Sequence, residues 1–112
     1  MNTLTVHNIE EKNEQHFFID ESLRTVVRLP SFIVGRGVYK PGWRWSEHAG
    51  PQTGKKSARH IGLIVSGKMV IQTNDGTEVT VSSGDVFEVG PGHDAWVVGD
   101  EPCVAIDMDR NS

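Results

Sequence analysis

Three short stretches decide the fold of this 112-residue chain: PGWRWSEH at residues 41–48, HIGLIVSG at 60–67 and GDVFEVGPGH at 84–93. Each combines β-forming residues with a glycine or proline turn, which is typical of short strands joined by tight turns. Three of the five histidines, His48, His60 and His93, lie in these stretches. His7 and His16 lie in a polar N-terminal lead. The stretches therefore carry both the fold signal and the candidate chemistry.

The rest of the chain continues the same pattern. No segment has the 3.6-residue period of an amphipathic helix, and turn signals separate about ten short apolar runs, as in all-β sandwiches and barrels. The strongest hairpin signal is Asn74-Asp75-Gly76. Residues 31–40 predict a strand in which Gly35 and Gly37 mark a bend or bulge. The sequence predicts one all-β domain over residues 25–112, preceded by a lead of loop or short strands over residues 1–24.

Alternation in residues 43–48 predicts a strand with two different faces. Trp43 and Trp45 share one side, whereas Arg44, Ser46 and His48 share the other. This pattern favours a barrel wall whose tryptophans are packed and whose polar side lines the lumen. The alternative is a plain amphipathic strand that presents its histidine to solvent.

Residues 60–65 are apolar on both sides of the predicted strand, as expected for a strand that is covered on both faces. His60, Gly62 and Ile64 share one side of it. The loop before this strand, residues 49–59, carries three positive charges, at Lys55, Lys56 and Arg59. We expect it to be a surface loop, or a barrel mouth that attracts an anionic ligand.

Composition excludes several classes of protein. The net charge of −4 indicates no basic surface for nucleic acid. Cys103 is the single cysteine, which excludes an internal disulfide and favours a buried thiol in a reducing compartment. No apolar run approaches the roughly 18 residues of a membrane span. The first residues lack a signal-peptide pattern, so we expect a cytoplasmic protein. Because a small barrel gains stability by pairing, we also expect a homodimer, with the lead as a candidate for crossing to the partner.

The order of glycines and histidines resembles the cupin family of small jelly-roll barrels, whose first motif is G(X)5HXH(X)3–4E(X)6G. Gly42 precedes His48 with the motif spacing, and His60 precedes Gly67 with the spacing at its end. The second histidine position of the motif falls on Gly50, and its glutamate position falls on His60. The gap between the two halves is also longer than in the motif.

The second cupin motif, G(X)5PXG(X)2H(X)3N, aligns with the stretch that begins at Gly84, where residues 90–92 replace its PXG. The histidine position falls on Ala95, with His93 two residues earlier, and the asparagine position falls on Gly99. The resemblance covers residues 32–108. It implies a double-stranded β-helix of the kind found in small single-domain, RmlC-like cupins, many of unassigned function.

The resemblance implies a divalent metal held by His48, His60 and His93. Three imidazoles with an open coordination position suit Zn, Fe, Ni or Mn, and leave room for water or substrate. If the protein is an enzyme, the resemblance implies metal-assisted chemistry of the dioxygenase, isomerase or lyase type on a small oxygenated or anionic substrate. The alternative is that these histidines only line a polar pocket.

Two metal-free alternatives stay open. In the first, the lumen binds an anionic or carbohydrate-like small molecule, with polar groups from Arg44, Ser46 and Gln72 and an apolar wall from Phe87 and Trp96. In the second, the barrel is filled with side chains and serves as a structural or regulatory dimer. An exposed patch formed by the two tryptophans of residues 43–45 would favour this second alternative.

Overall fold

The computed structural model describes residues 3–11, 14–54 and 56–110. These residues form nine strands, listed with their bounds as β1 (Gln15–Phe17), β2 (Leu23–Arg28), β3 (Phe32–Tyr39), β4 (His60–Ser66), β5 (Lys68–Gln72), β6 (Glu78–Ser82), β7 (Val86–Val89), β8 (Asp94–Val97) and β9 (Cys103–Arg110). The helical segments are a 3-10 helix (Ile9–Glu11), a π-helix (Trp45–Ala49) and one turn of α-helix, α1 (Gly50–Thr53). None of the described helices is long and apolar enough to cross a membrane.

The strands form two antiparallel sheets that pack face to face. The larger sheet has the order β1-β2-β3-β9-β4-β7, and the smaller sheet has the order β6-β5-β8. Buried side chains from both sheets meet between them, including Ile64 of β4, Ile71 of β5, Val97 of β8 and Cys103 of β9. The predicted all-β architecture is confirmed, and its core lies between two layers, as sheet packing requires.

Local sequence signals account for most of the strands. Gly76 adopts a φ of 91°, and its N–H donates to the Thr73 carbonyl at 2.9 Å, so the predicted hairpin between β5 and β6 is confirmed. The strand expected within residues 31–40 is β3. On β4, Gly62 and Ile64 share the inward side as predicted. The expectation that both faces of this strand are covered is wrong, because Ile61, Leu63 and Val65 on the outward side are 38–49% exposed.

The N-terminal lead is part of the larger sheet. β1 pairs with β2, and Phe18 packs its ring 5.9 Å from Tyr39 and 5.6 Å from Trp43, measured between ring centroids. Glu10 and Glu14 form ion pairs with arginines of β3 and β2, respectively. The lead is therefore attached to the barrel by aromatic packing at one end and by ion pairs at the other.

The strand prediction for residues 43–48 is wrong. Arg44 forms a single bridge with Trp96 of β8, and the chain then enters the π-helix. The Asp94 carboxylate explains the change, because one oxygen accepts the Ser46 N–H at 3.0 Å and the other accepts the Ser46 hydroxyl at 2.8 Å. A carboxylate that bonds the backbone offers the chain an alternative to sheet pairing. Within the loop predicted for residues 49–59, Ala49 ends the π-helix, and α1 follows and is capped by Gly54 in the left-handed conformation. Residues 56–59 form a loop as predicted.

Candidate functional site

A cavity of about 330 Å³ lies between the two sheets. Its size falls at the lower end of the range for small-molecule sites. Five aromatic side chains contribute to its wall: Phe18, Tyr39, Trp43, Trp45 and Phe87. Aliphatic side chains of β5, β8 and β9 complete the apolar part. The polar part comes from His60, His93, Ser57 and a group of charged residues on the larger sheet.

Strand register explains why the larger sheet leaves space for a cavity. Gly35, Asp107, Gly62 and Phe87 lie side by side in one row across β3, β9, β4 and β7. Residues directly opposite one another in antiparallel strands share a face, so this row faces the cavity. A Cβ on Gly62 would lie 2.7 Å from Cε1 and 2.9 Å from Cε2 of the Phe87 ring. The glycine is therefore required for the ring to lie across β4.

An ion pair occupies the space above Gly35. The Arg24 guanidinium donates from Nε to Asp107 Oδ2 at 3.0 Å and from Nη2 to Oδ1 at 2.5 Å. Burial alone would lower the pKa of Arg24, but the hydrogen bonds and the charge of Asp107 more than offset burial and raise it. A bidentate pair of this kind is strongly orienting. The cavity wall thus contains a positive and a negative group that neutralise each other.

Two histidines lie together at the wall, with ring centroids 5.1 Å apart for His60 and His93. His93 Nδ1 lies 2.8 Å from the Gly90 carbonyl, and His60 Nδ1 lies 3.3 Å from the Ala58 carbonyl. A carbonyl only accepts, so in each neutral ring Nδ1 carries the proton and Nε2 keeps its lone pair. Burial lowers the pKa of His93, the Gly90 hydrogen bond opposes this, and the charge of His60 lowers it further. His93 is therefore neutral near pH 7.

His48 occupies a different environment. It lies on the π-helix and is not part of the cavity wall. Its Nδ1 accepts the Arg44 backbone N–H at 2.9 Å, so the neutral ring carries its proton on Nε2. The structure therefore brings together His60 and His93, but not the third member of the predicted set. Across residues 3–11, 14–54 and 56–110, no three His, Cys, Asp or Glu side chains are grouped as a metal site.

Four of the five predicted pocket residues lie outside the cavity. The Arg44 guanidinium stacks 4.2 Å from the Trp96 ring centroid and bonds Asp94 at 3.1 Å, with Ser46 on the same carboxylate. Gln72 donates to Glu78 at 3.2 Å on the outward side of β5. Strands β5 and β8 turn the neighbours of Gln72 and Trp96 inward instead, and of the predicted pocket set Phe87 is the member that lines the cavity.

The positive charges of the loop do not surround the cavity in the way predicted for a barrel mouth. Arg59 lies at the cavity wall and forms an ion pair with Glu88 of β7. Lys56 is exposed and does not line the cavity, and Lys55 lies outside the described residues. The wall therefore has no unpaired arginine or lysine among the described residues.

Several residues that line the cavity were not predicted from the sequence. Arg24 and Asp107 come from the second and the last strands, and Trp43 and Trp45 belong to the side that was expected to be simple packing. Trp43 is 3% exposed, and its Nε1 has no hydrogen-bond partner within the described part of the chain. The glycines inside predicted strands were the sequence feature that could have revealed this part of the cavity. Such glycines mark places where another group approaches the backbone closely.

Comparison with known proteins agrees with the architecture. No protein-family model and no curated protein shows significant sequence similarity to this chain. Among solved structures, it resembles KdgF from Halomonas sp., with a TM-score of 0.70, 15% identity and coverage of 98% of this chain and 96% of that one. It also resembles a Cupin 2 conserved barrel domain protein from Salinispora arenicola, with a TM-score of 0.66, 18% identity and coverage of 96% and 88%. The chain has the cupin fold.

A third similar structure, a cupin-like protein from Thermotoga maritima, has a TM-score of 0.65 and 20% identity, with coverage of 94% of this chain and 80% of that one. The fold predicted from the two motifs is therefore confirmed. The cupin barrel of this chain differs from the motif pattern at its ligand positions. Its wall carries a histidine pair and an internal ion pair in an aromatic cavity.

Proposed function

We propose that the cavity binds a small, uncharged organic molecule that contains a ring and several hydrogen-bonding groups. The observation that carries this proposal is the combination of five aromatic side chains with polar atoms that have unused hydrogen-bonding capacity. Aromatic faces favour a flat ring by stacking, and a few placed polar groups fix its orientation.

Specific atoms are available for that orientation. Nε2 of His93 and Nε2 of His60 are acceptors, because both Nδ1 atoms face carbonyls. The indole N–H of Trp43 is a buried donor without a partner among the described residues. An unmade hydrogen bond of a buried group costs about 1–3 kcal/mol, so a ligand that supplies one gains affinity. Hydroxyl groups, which both donate and accept, match this set.

The charges of the wall favour a neutral ligand over an anionic one. Arg24 already makes two hydrogen bonds to Asp107, and Arg59 pairs with Glu88. A ligand carboxylate at Arg24 would compete with Asp107, and taking one partner from a largely buried pair is unfavourable. The exposed Arg59–Glu88 pair leaves Arg59 with little net charge to attract an anion. The sequence-based expectation of an anionic ligand depended on Arg44 and on the cations of the loop; Arg44 and Lys56 do not line the cavity, and Arg59 lies at its wall but is paired with Glu88.

The experiment is a binding titration with two matched pairs of probes, followed by NMR of labelled protein. The first pair is benzyl alcohol and benzoate, and the second is methyl glucoside and its uronate. We expect the neutral member of at least one pair to bind and to shift the amide signals of β4, β7 and residues 90–93, with a loss of affinity in His93→Ala. The control is His16→Ala on exposed β1. Shifts that avoid the cavity residues, or binding confined to the anionic members, would refute the proposal.

A divalent transition metal on His60 and His93 is a second candidate. It is supported by the two Nδ1–carbonyl contacts, because metal-binding histidines usually donate their other N–H to a carbonyl or carboxylate. Two imidazoles are fewer than the three or four protein ligands of most sites, so water or the bound molecule would complete the set. Dioxygenase, isomerase or lyase chemistry, which the resemblance implies, would follow only with the metal in place.

Elemental analysis separates the histidine pair from the predicted trio. The untagged protein is purified without chelator and analysed before and after dialysis against EDTA. The pair hypothesis expects metal that disappears in His60→Ala and in His93→Ala but remains in His48→Ala. The trio hypothesis expects loss in all three variants. Protein that contains no metal and takes up none on titration would exclude both metal-site hypotheses. The proposal of a metal-free ligand would then be tested by the probe titration alone.

A further inference from the structure

The single tyrosine of the chain, Tyr39, folds its ring back along its own strand. It ends β3, and Gly37 precedes it by two residues on the same inward face. A Cβ on Gly37 would collide with Cε2, Cζ and the hydroxyl oxygen of the tyrosine, so the ring lies across the backbone of this glycine. The hydroxyl is therefore directed along β3 toward Gly35, over which the Arg24 guanidinium lies.

Packing fixes the position of this ring. The ring centroid of Trp43 lies 4.3 Å from that of Tyr39, and the centroid of Phe18 lies 5.9 Å from it. Tyr39 is 9% exposed and forms part of the cavity wall. A ring that is held between two aromatic groups and a strand backbone cannot turn away without disturbing all three. The hydroxyl consequently has a defined place in the wall.

The Tyr39 hydroxyl makes no hydrogen bond to any group in the described ranges 3–11, 14–54 and 56–110. Within those ranges, two enclosed side-chain atoms lack a partner, Arg36 Nε and Trp43 Nε1. The tyrosine oxygen is not one of them, so protein atoms do not enclose it and it opens onto the cavity. A buried tyrosine hydroxyl usually has a hydrogen-bond partner. We therefore expect a molecule in the cavity to supply one.

The surroundings keep the phenol protonated and make it a hydrogen-bond donor. Burial raises the pKa of Tyr39, and the negative charge of Asp107 raises it further, whereas the positive charge of Arg24 opposes the change. Arg24 and Asp107 bond each other and leave the phenol without a partner. A neutral phenol donates one O–H, and a carbonyl oxygen accepts it without bringing a second negative charge near Asp107. This position therefore favours a carbonyl oxygen of an uncharged ligand.

The histidine pair at the other end of the cavity has the opposite requirement, because its free Nε2 atoms accept hydrogen bonds. Strand register places the row of Gly62 two residues beyond the row of Gly37, and His60 lies two residues further along β4. At about 3.3 Å per residue, the rows of Gly37 and His60 are separated by about 13 Å along the strands. This separation leaves room for one ring that carries a different polar group at each end.

We propose that Tyr39 determines the specificity of the cavity by donating its O–H to a carbonyl oxygen of the bound molecule. The inference rests on the proposed function and narrows its ligand class to an uncharged ring compound with a carbonyl group at one end and a hydroxyl group at the other. The ligand hydroxyl donates to Nε2 of His60 or His93. A carbonyl only accepts, so it matches the phenol and not the two imidazoles, and the same contacts fix the direction in which the ligand lies.

Titration of the full chain with two matched probes, para-acetylbenzyl alcohol and para-ethylbenzyl alcohol, tests this proposal. The probes share a ring and a hydroxyl group, and they differ in a carbonyl oxygen that replaces two hydrogens. The wild type is expected to bind the acetyl compound with a Kd about tenfold lower, the effect of one additional buried hydrogen bond. Tyr39→Phe is expected to bring the ratio of the two Kd values to about one while retaining the affinity for the ethyl compound. The matched control is Ser22→Ala, which removes a buried hydroxyl that does not line the cavity and should leave the ratio unchanged.

NMR of wild-type protein with an isotopic label at Cζ of tyrosine observes the hydroxyl directly and needs no variant. Such protein gives one labelled signal, because the chain has one tyrosine. Saturation with the acetyl compound is expected to shift this signal more than saturation with the ethyl compound does. Identical shifts for the two probes would contradict a hydrogen bond from Tyr39 to the carbonyl oxygen.

Thermal unfolding separates a role in specificity from a role in stability. The Ser22 hydroxyl accepts the Lys40 N–H at 2.8 Å and donates to Asp20 at 3.0 Å, so Ser22→Ala is expected to lower the melting temperature by about 4–8 °C. Tyr39→Phe removes a hydroxyl without such bonds and is expected to melt within about 2 °C of the wild type. A fall as large as that of Ser22→Ala would assign the Tyr39 hydroxyl to the stability of the fold and overturn the proposal.

The binding results also distinguish this proposal from the proposed function on which it rests. Equal affinities of the wild type for the two probes, or a ratio that Tyr39→Phe leaves unchanged, would overturn the specificity role while the proposed function stands. Binding of neither probe would overturn both, because each probe has the ring and the hydroxyl group that the proposed function requires.

Discussion

Replacing Gly62 with alanine tests the central feature of the cavity, a ring that lies across a glycine. The new Cβ would lie 2.7 and 2.9 Å from two Phe87 ring carbons, distances that real side chains do not tolerate. The ring must then swing into the cavity or β4 must move. Overpacking of this kind costs about 1–3 kcal/mol of unfolding free energy. For a domain of this size, the melting temperature falls by about 4–12 °C.

Thermal unfolding by circular dichroism measures the effect, and Gly90→Ala is the matched control. A Cβ at Gly90 meets nothing within 4 Å, and its φ is outside the left-handed region, so we expect a change within about 0.5 kcal/mol. Adding Phe87→Leu to the Gly62→Ala variant should recover part of the loss, with a coupling energy of about 1 kcal/mol. Equal melting temperatures for the two glycine variants, or strictly additive effects in the double variant, would refute the argument.

Three further predictions concern buried titratable groups. Asp107→Asn leaves the Arg24 charge without its partner and should cost about 3 kcal/mol in chemical denaturation; a loss below that of an exposed pair would contradict it. Burial lowers the pKa of His93 from 6.5, so its contribution to stability is complete above pH 6.5 and decreases as pH falls through the lower value of the folded state. The loss of stability between about pH 7.5 and about pH 5 should therefore be smaller in His93→Gln, and an equal loss would exclude this assignment. Burial raises the pKa of Cys103 to about 11, so a disulfide reagent at about pH 8 should label it only after denaturation, and rapid labelling of native protein would contradict its burial.

Local signals were sufficient for most of the strands. The Asn74-Asp75-Gly76 hairpin depends on the left-handed conformation of its glycine, and the inward face of β4 follows from alternation alone. Both properties are decided within a few residues of the chain, so a sequence pattern contains them. The order of these elements was also enough to identify the cupin fold, which the structural comparisons confirm.

The π-helix was not predictable in the same way. Trp43 and Trp45 line the cavity, whereas alternation predicted that the polar side of this segment would do so. The backbone leaves the extended conformation at Ser46, whose N–H is bonded by Asp94 of a distant strand. A period of two in the sequence cannot reveal a hydrogen-bond acceptor that is far along the chain. For this reason His48 was expected in the lumen, whereas its imidazole accepts the Arg44 N–H within the same turn.

The candidate site could be predicted only in part from the sequence, for a related reason. The register between β4, β9 and β3 aligns Gly62, Asp107 and Gly35, three residues that are separated widely in sequence. Gly35 was interpreted as a bend or bulge, although β3 pairs with both neighbours without a register shift there, and Gly62 was only assigned to one side of its strand. Read together across the sheet, they form a row of missing side chains, and the groups that occupy the row determine the chemistry of the cavity.

This row has a consequence for how the barrel can change during evolution. The backbone atoms of Gly35 and Gly62 form a floor, and the groups that rest on it, the Arg24 guanidinium and the Phe87 ring, come from other strands. A smaller residue at position 87 would enlarge the chamber by the volume of the lost ring atoms while leaving the floor and the strand pairing in place, whereas a smaller residue at position 24 would leave Asp107 without its partner. Ligand preference can therefore diverge between descendants of this protein through single replacements of Phe87, and position 87 is the natural starting point for engineering a new binding specificity.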